Sequence, residues 1–471
     1  MNNERQFYSS ILEKLKKYNL DSELIKKNVY INWFFIPKPH PLYLSKYAKS
    51  NFFNKIYRLV FNSIKLIISL LKSLFTIKNF TSKTNFEYYD LTIVSHLISK
   101  EKIFKKDIYF KDIYNHAKKK NLKILFIYLN HNKSISSKKM NSDDSYIFLN
   151  KNLNLWNEIF CSYKLIKLFF FYLMQKKISR KNKLDILIDV LSVESLTNLR
   201  IERSIIHIAK KIKTKKLICT FEGFNFEKII FSTIKKYIPN VENIGYQHAP
   251  VLNNQYAIYQ LQSTNYFPDK ILTSGDYYTD IFKKNFVNKN VFTFGSSKFS
   301  SYENYEHKKE NICLVLPEAI IEECETLFKF TLDYSKKYND LKFIWRLHPL
   351  FDFDLVLSKI NFNFNFNTNG KIILSKNNNN DFKISKYCLF RGSSSVIEAI
   401  NSNSLPIYLD LRNKININPL TDEANIKNVQ SISDLNKIIG SERKKNFKEE
   451  YPKVDVDKYF LKPNYENLKI I

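Results

Sequence analysis

The stretch "YCLFRGSSSVIEAI", Tyr387–Ile400, decides how this chain is read. An apolar run ends at Phe390, Arg391 and a single glycine follow, and three serines open a segment with helical spacing. Only 7 of 471 residues are glycine, so Gly392 marks a point where the backbone needs special geometry. The pattern is strand, tight turn, helix, and "LPIYLDL" supplies the next strand.

The same alternation recurs outward from this unit. "NICLVLPEA" reads as a strand, "IIEECETLFKFTLDYSKKY" as a helix, and "LKFIWRLHP" and "KIILS" as further strands. The Asn-rich "NFNFNFNTNG" between them is a low-complexity loop. Upstream, "LTIVSHL", "LKILFIYL", "LDILIDV", "KLICTFEG", "VENIGYQHA", "PDKILTSG" and "VFTFGSSKF" contain short apolar runs with the length of buried strands. Helical stretches such as "DIYNHAKKKN" and "SIIHIAKKIK" separate several of them. Such alternation predicts parallel sheets covered by helices on both faces. Two series joined near residues 295–308 predict an α/β protein of two doubly wound, Rossmann-like domains facing each other across a cleft. The N-terminal domain spans 86–300 and the C-terminal domain 301–471. Ligands in such sheets sit beyond the carboxyl ends of the strands.

Residues 1–85 read as a basic helical extension. Within "IYRLVFNSIKLIISLLKSLF", Arg58, Lys65 and Lys72 are seven apart and share one helical stripe. Within residues 1–85 no window of 18 residues is free of charge, which argues against a membrane span there. Two readings stay open: an amphipathic helix lying on a membrane, or a helix packed on the body of the protein. "KLIKLFFFYLMQKK", Lys164–Lys177, admits the same two, with a buried core helix preferred.

Lys and Arg number 75 against 45 Asp and Glu, a net charge of +30. That favours an anionic partner, either nucleic acid or an acidic membrane surface. Lys, Asn, Ile, Phe and Tyr are abundant throughout, as A/T-rich coding would give any protein. Lysine is spread along the chain rather than clustered with aromatics, so nucleic acid is not the expected partner. Five cysteines without a Cys-x-x-Cys pair point to reduced thiols and a cytoplasmic location. "MNNERQFYSS" lacks the apolar run of a signal peptide.

Ser393, Ser394 and Ser395 combine hydroxyls with free backbone N–H groups at a helix start, a site for a phosphate or carboxylate. A helix cap needs only one of the three. One strand earlier, His348 stands at a strand end that Pro349 terminates, in position to act on the same phosphate. In the N-terminal half, Glu222 before Gly223 ends a strand and is a candidate general base. The alternative is a carboxylate favoured by a helix N-terminus. Glu227 reads as helix surface, with a place on the acceptor side if it is functional. Gln247 and His248 in "GYQHAP" end the next strand and add polar groups there. Asp352 and Asp354 have Asp-x-Asp spacing, a weak metal signal, and Asp455 and Asp457 a weaker one. No Walker loop or Gly-x-Gly-x-x-Gly is present, which argues against an ATPase or a dinucleotide enzyme.

The order of acidic-Gly motif, His-Pro and serine cluster resembles bacterial sialyltransferases, polysialyltransferases and capsule Kdo transferases of the GT-B fold. "GYQHAP", "LVLPE", "RLHP" and "RGSSSVIEAI…LPIYL" look more closely like a family of bacterial surface-carbohydrate (capsule and lipopolysaccharide) biosynthesis proteins. The resemblance covers residues 88–415. It implies an inverting, metal-independent transfer from a CMP-activated acidic sugar to a glycan hydroxyl, with no cofactor. By that resemblance Glu222 matches the catalytic acid/base, with His248 as the other group able to take the proton. His348 and Pro349, Arg391, Gly392, Ser393, Ser394 and Ser395 match the donor-phosphate side. The sialyltransferase pattern carries two acids before the glycine, whereas Phe221 holds the first place here. CDP-glycerol phosphotransferases also pair His-Pro with serines, so CDP-glycerol stays open as donor, as does a non-catalytic glycan-binding role. The implied partners are a nucleotide-sugar donor, a glycan or lipid-linked glycan acceptor and an anionic inner-membrane surface.

Overall fold

The computed structural model describes residues 52–97, 103–130, 143–176, 180–253, 266–286, 289–296, 309–348, 351–360, 370–376, 380–420, 426–444 and 455–467, with isolated positions between them. The extension before residue 52, Pro349 and most of the Asn-rich tract lie outside the described residues. Two compact units result: one runs within Gln6–Ala249, Gln255–Ser297 and Leu461–Ile471, the other within Pro250–Asn254 and Lys298–Phe460.

The first unit is built on an eight-stranded sheet. Its strands are β1 (Phe80–Lys83), β2 (Tyr88–Leu97), β3 (Ile124–Asn130), β4 (Ser145–Leu149), β5 (Lys213–Thr220), β6 (Glu242–Tyr246), β7 (Lys270–Thr273) and β8 (Asn290–Thr293). The order is β1-β4-β3-β2-β5-β6-β7-β8, parallel except for β1 against β4. Strand β2 lies between β3, with Leu91 beside Ile124, and β5, with Leu91 beside Lys216. Both its faces are covered, which explains why "LTIVSHL" is apolar almost without alternation. The helices are α1 (Phe52–Ser73), α2 (Lys111–Lys119), α3 (Leu155–Met174), α4 (Arg180–Val190), α5 (Val193–Ala209), α6 (Asn225–Tyr237) and α7 (Asp276–Asn285).

The second unit carries a six-stranded, fully parallel sheet. Its strands are β9 (Glu310–Leu316), β10 (Lys342–Trp345), β11 (Ile372–Leu374), β12 (Ser385–Phe390), β13 (Leu405–Leu409) and β14 (Lys427–Val429), in the order β11-β10-β9-β12-β13-β14. Helices α8 (Ile321–Lys337), α9 (Phe353–Lys359), α10 (Asn380–Ile384), α11 (Val396–Asn401) and α12 (Ile432–Lys444) connect them. Phe328 stacks on Trp345 at a centroid distance of 4.0 Å in the core of this unit. Each unit is therefore a doubly wound α/β layer structure, as the alternation of apolar runs and helices predicts.

Two local expectations fail for identifiable reasons. "LDILIDV" belongs to helix α4 rather than a strand. Its apolar run is short enough to suit either, and Asp185 and Asp189, four apart, fit a helix. "KLIKLFFFYLMQKK" is helical but not a buried core helix: Ile166, Phe170 and Met174 are exposed. Helix α1 does pack on the body, through its polar side. Lys55 Nζ meets Asp185 at 2.5 Å, Asn62 Nδ2 donates to the Ile188 carbonyl at 2.9 Å, and Ser69 Oγ donates to Glu158 at 2.8 Å.

The final described residues return to the first unit instead of completing the second. Leu461 N donates to the Ser274 carbonyl (2.9 Å) and Asn464 N to that of Phe294 (2.7 Å), while Tyr465 stacks on His116 at 5.5 Å. Gly295 permits this. Its φ is +100°, and a Cβ there would stand 2.5 Å from the Lys462 carbonyl oxygen. Gly295→Ala therefore meets both a backbone clash and a left-handed conformation. It should lower stability by about 2 kcal/mol and release the C-terminal segment, read as a lower melting temperature and faster proteolytic trimming of that end.

Candidate functional site

Strand order reverses between β2 and β5 in the first sheet and between β9 and β12 in the second. At such switch points the loops leaving adjacent strands part in opposite directions and open a crevice beyond the carboxyl ends. The residues singled out in the sequence fall at the carboxyl ends of β5 and β6 in one unit and of β10 and β12 in the other.

In the first unit, β5 ends at Thr220 and the chain turns through Phe221, Glu222 and Gly223 into α6. Gly223 takes φ +89°, which lets the turn close. The turn is held by Glu227, whose carboxylate is fully buried. It accepts from the N–H groups of Glu222 (3.0 Å), Gly223 (2.8 Å) and Phe224 (2.9 Å) and from the Thr220 hydroxyl (3.1 Å). Burial and the neighbouring Glu222 push its pKa well up, while those donors pull it back. Glu227 is thus neither helix surface nor an acceptor-side group: every acceptor position faces the turn.

Glu222 is left projecting, its side chain 20% exposed, and His248 Nε2 after β6 lies 2.9 Å from its Oε1. With a carboxylate accepting there, the imidazole proton sits on Nε2. Nδ1 is buried and has no hydrogen-bond partner among the described residues. Gln255 Nε2 donates to the Glu222 carbonyl at 2.9 Å, pinning the loop from outside. Gln247, by contrast, is fully buried and internally used. Its Oε1 accepts from Ser274 N (3.0 Å) and its amide donates to the Ala249 carbonyl, so it belongs to the scaffold.

Sequence reasoning missed part of this cluster. Tyr109 sits edge-on to His248 at a centroid distance of 4.4 Å, and burial together with the Glu222 and Asp107 carboxylates raises its pKa. Asp107 accepts from Ser95 Oγ (2.7 Å) and from Tyr109 and Phe110 N–H (2.9 Å each), and burial raises it too. His96 Nε2 contacts Thr220 Oγ1 at 3.3 Å. His96 ends "LTIVSHL" and meets the strand-end criterion that singled out His348, whereas Tyr109 and Asp107 come from a loop that carries no pattern. Phe221 packs among Phe231, Phe267, Phe282 and Phe286, and a Cβ on Gly245 would stand 2.9 Å from it. An acid at 221 would enter an aromatic core.

In the second unit, β10, β9 and β12 lie side by side. His348, Glu318 and Gly392 follow them at one edge, β10 and β12 being about 10 Å apart by ordinary strand spacing. Gly392 is small for a packing reason: a Cβ would stand 2.9 Å from Ile417 Cδ1 and 3.1 Å from Glu318 Oε2. Ser395 occupies the N-cap of α11 without a side-chain cap bond, and Ser393 Oγ accepts only a long 3.4 Å bond from Ser395 N. Ser394 and Ser395 are partly exposed, and neither hydroxyl has a hydrogen-bond partner among the described residues. His348 is half-buried beyond β10. Arg391 is excluded from contacting a phosphate. It is fully buried, and its guanidinium donates to Glu323 (2.6 Å) and to the carbonyls of Leu409 (2.8 Å) and Ile415 (3.0 Å). Asp352 caps α9 by accepting from Leu355 N at 2.7 Å.

No family model matches the chain, and no curated protein matches it. Among solved structures it is similar to the UDP-GlcNAc 2-epimerase of Methanocaldococcus jannaschii, at 12% identity and a TM-score of 0.48, over 81% of this chain and 99% of that one. It is similar also to that of Neisseria meningitidis (10%, TM-score 0.47, 79% and 95%). A third is the UDP-forming α,α-trehalose-phosphate synthase of Burkholderia vietnamiensis (8%, TM-score 0.44, 78% and 94%). These likenesses assign no residue a role.

Two tests address the turn. Glu227→Ala leaves four donors without their acceptor and should cost about 3 kcal/mol by denaturant melts. Lys228 beside it is buried and its pKa is pushed down to about 7. The unfolded chain then holds a proton that the folded chain lacks between that value and the ordinary lysine value. The penalty is full below about 7 and relieved as pH rises above it, so stability should climb from neutral to alkaline pH. Lys228→Met should remove that slope and raise the melting temperature at neutral pH.

Proposed function

We propose that the protein is a glycosyltransferase of bacterial surface-polysaccharide assembly. It moves an acidic sugar of the sialic acid or Kdo kind from a CMP-activated donor to a hydroxyl of a glycan or lipid-linked glycan, with inversion and without a metal. The observation that carries this reading is the Glu222–His248 pair, 2.9 Å apart at a strand-order reversal, with the carboxylate the more exposed partner.

In this reaction the acceptor hydroxyl gives its proton to Glu222 as its oxygen attacks the anomeric carbon. His248 positions the carboxylate and stabilises it through Nε2–H. The bond from the anomeric carbon to the phosphate oxygen breaks as the new one forms, and negative charge passes to the departing cytidine phosphate. The Ser393 and Ser394 hydroxyls, the N–H groups around them and His348 are the groups to receive it. Glu318 would repel a phosphate but accepts hydroxyl donors, which suits it to the ribose of a nucleotide.

The test is thermal stabilisation by CMP, CDP, UMP, UDP and GDP, with and without Mg²⁺, on the native chain and His348→Ala. Ligand at ~100 times its Kd should stabilise by about 2.7 kcal/mol. Cytidine selectivity that is indifferent to metal and lost in His348→Ala is expected. A UDP preference would keep a glycosyltransferase and discard the CMP donor; no response to any nucleotide would overturn the reading. Glu222→Gln should lower kcat by ~10²–10⁴-fold while leaving donor binding intact.

A further inference from the structure

Helices α1 and α3 contact each other, and each turns an apolar stripe to solvent. On α1 the stripe is Phe53, Tyr57, Val60, Ile64, Ile67 and Leu71; on α3 it is Trp156, Ile159, Tyr163, Ile166, Phe170 and Leu173. Both follow alternating steps of three and four residues, so each stripe lies along one side of its helix. Phe53 and Trp156 are each 80% exposed, and Ile67 is 59%. The side of α1 that faces the body is largely polar instead, with Leu66 half-buried against the core, while α3 buries Cys161, Leu165, Leu168 and Tyr172. Lys55, Ser69 and Ser73 are the buried positions of α1, and Arg200 ties Ser69 to Glu158. A helix in water buries its apolar side. Helix α1 does the reverse and α3 is apolar on both sides, and a patch of this size marks an interaction surface.

Charge selects the occupant. Helix α1 has no acidic residue, and the sequence contains no Asp or Glu between Glu23 and Glu87. Arg58, Lys65 and Lys72 form a cationic row along one flank of the stripe, and Lys167 is exposed on α3. Tyr57, Trp156 and Tyr163 add rings with a polar tip, suited to a boundary between water and hydrocarbon. A second copy would bring two cationic rows together. The chain before residue 52 is also net basic and offers no complement. No helix among the described residues is long and apolar enough to cross a membrane.

We infer that α1 and α3 form a docking surface for an anionic lipid bilayer. The two helices lie in the interface, the apolar stripes enter the acyl boundary, and the lysine row meets acidic headgroups. The inference stands on this surface alone and does not depend on the reaction proposed above.

Flotation with vesicles of phosphatidylcholine, alone or mixed with phosphatidylglycerol, at low and high salt, tests it. The native chain should float with the anionic vesicles and be released by salt. Ile67→Glu combined with Phe170→Glu, at exposed positions, should lower binding more than ~tenfold without changing the melting temperature. Lys65→Gln with Lys72→Gln should lower it about 25-fold on anionic vesicles, at roughly fivefold per lysine, and not on neutral ones. The inference fails if the native chain floats with neither vesicle, or if the Ile67/Phe170 variant floats equally well. It fails too if the native chain is a dimer that this variant splits and that binds no lipid, because the stripe would then be a self-association seam.

Discussion

One buried carboxylate organises the candidate base. Glu227 collects three successive backbone N–H groups and the Thr220 hydroxyl. Those amides belong to a helix start and a tight turn, where they have no partner in regular structure. Satisfying them inside the protein fixes the turn, and the turn sets where Glu222 points. The group that does the proposed chemistry is therefore exposed because its neighbour is not. Gly223, with φ +89°, and Gly245, which leaves room for Phe221, serve the same local geometry.

The second sheet reaches a comparable result by another route. Arg391 is consumed by Glu323 and two carbonyls, locking the turn between β12 and α11 from below. Gly392 then lets Glu318 approach, and beyond it Ser393 is buried while Ser394 and Ser395 are partly exposed. In both units a charged residue that looks functional in the sequence is structural, and it holds a less conspicuous neighbour in place.

Helix α1 shows how far burial departs from hydrophobicity when a polar network is available. Lys55 with Asp185, and Ser69 with Glu158 and Arg200, satisfy one another inside the unit. That leaves Phe53, Ile64 and Leu71 outside. Sequence periodicity reports that a helix has two sides; it does not report which side faces the protein.

The alternation of apolar runs with helical stretches determined two parallel α/β units, because strands buried on both faces must be apolar throughout and crossovers must be helical. It also determined that Glu222, His248, His348 and Ser393 stand at strand ends, since a strand end is a local property marked by Gly or Pro. "LDILIDV" was beyond it, because a short apolar run fits a strand or a buried helix equally well. The pairing of Glu222 with His248 and the approach of Tyr109 to that imidazole were decided by strand order. So were the roles of Gln247 and Arg391, and the return of residues 461–467 to the first unit. Hydrogen-bond partners come from segments distant in the chain, and only the tertiary structure brings those segments within 3 Å of each other.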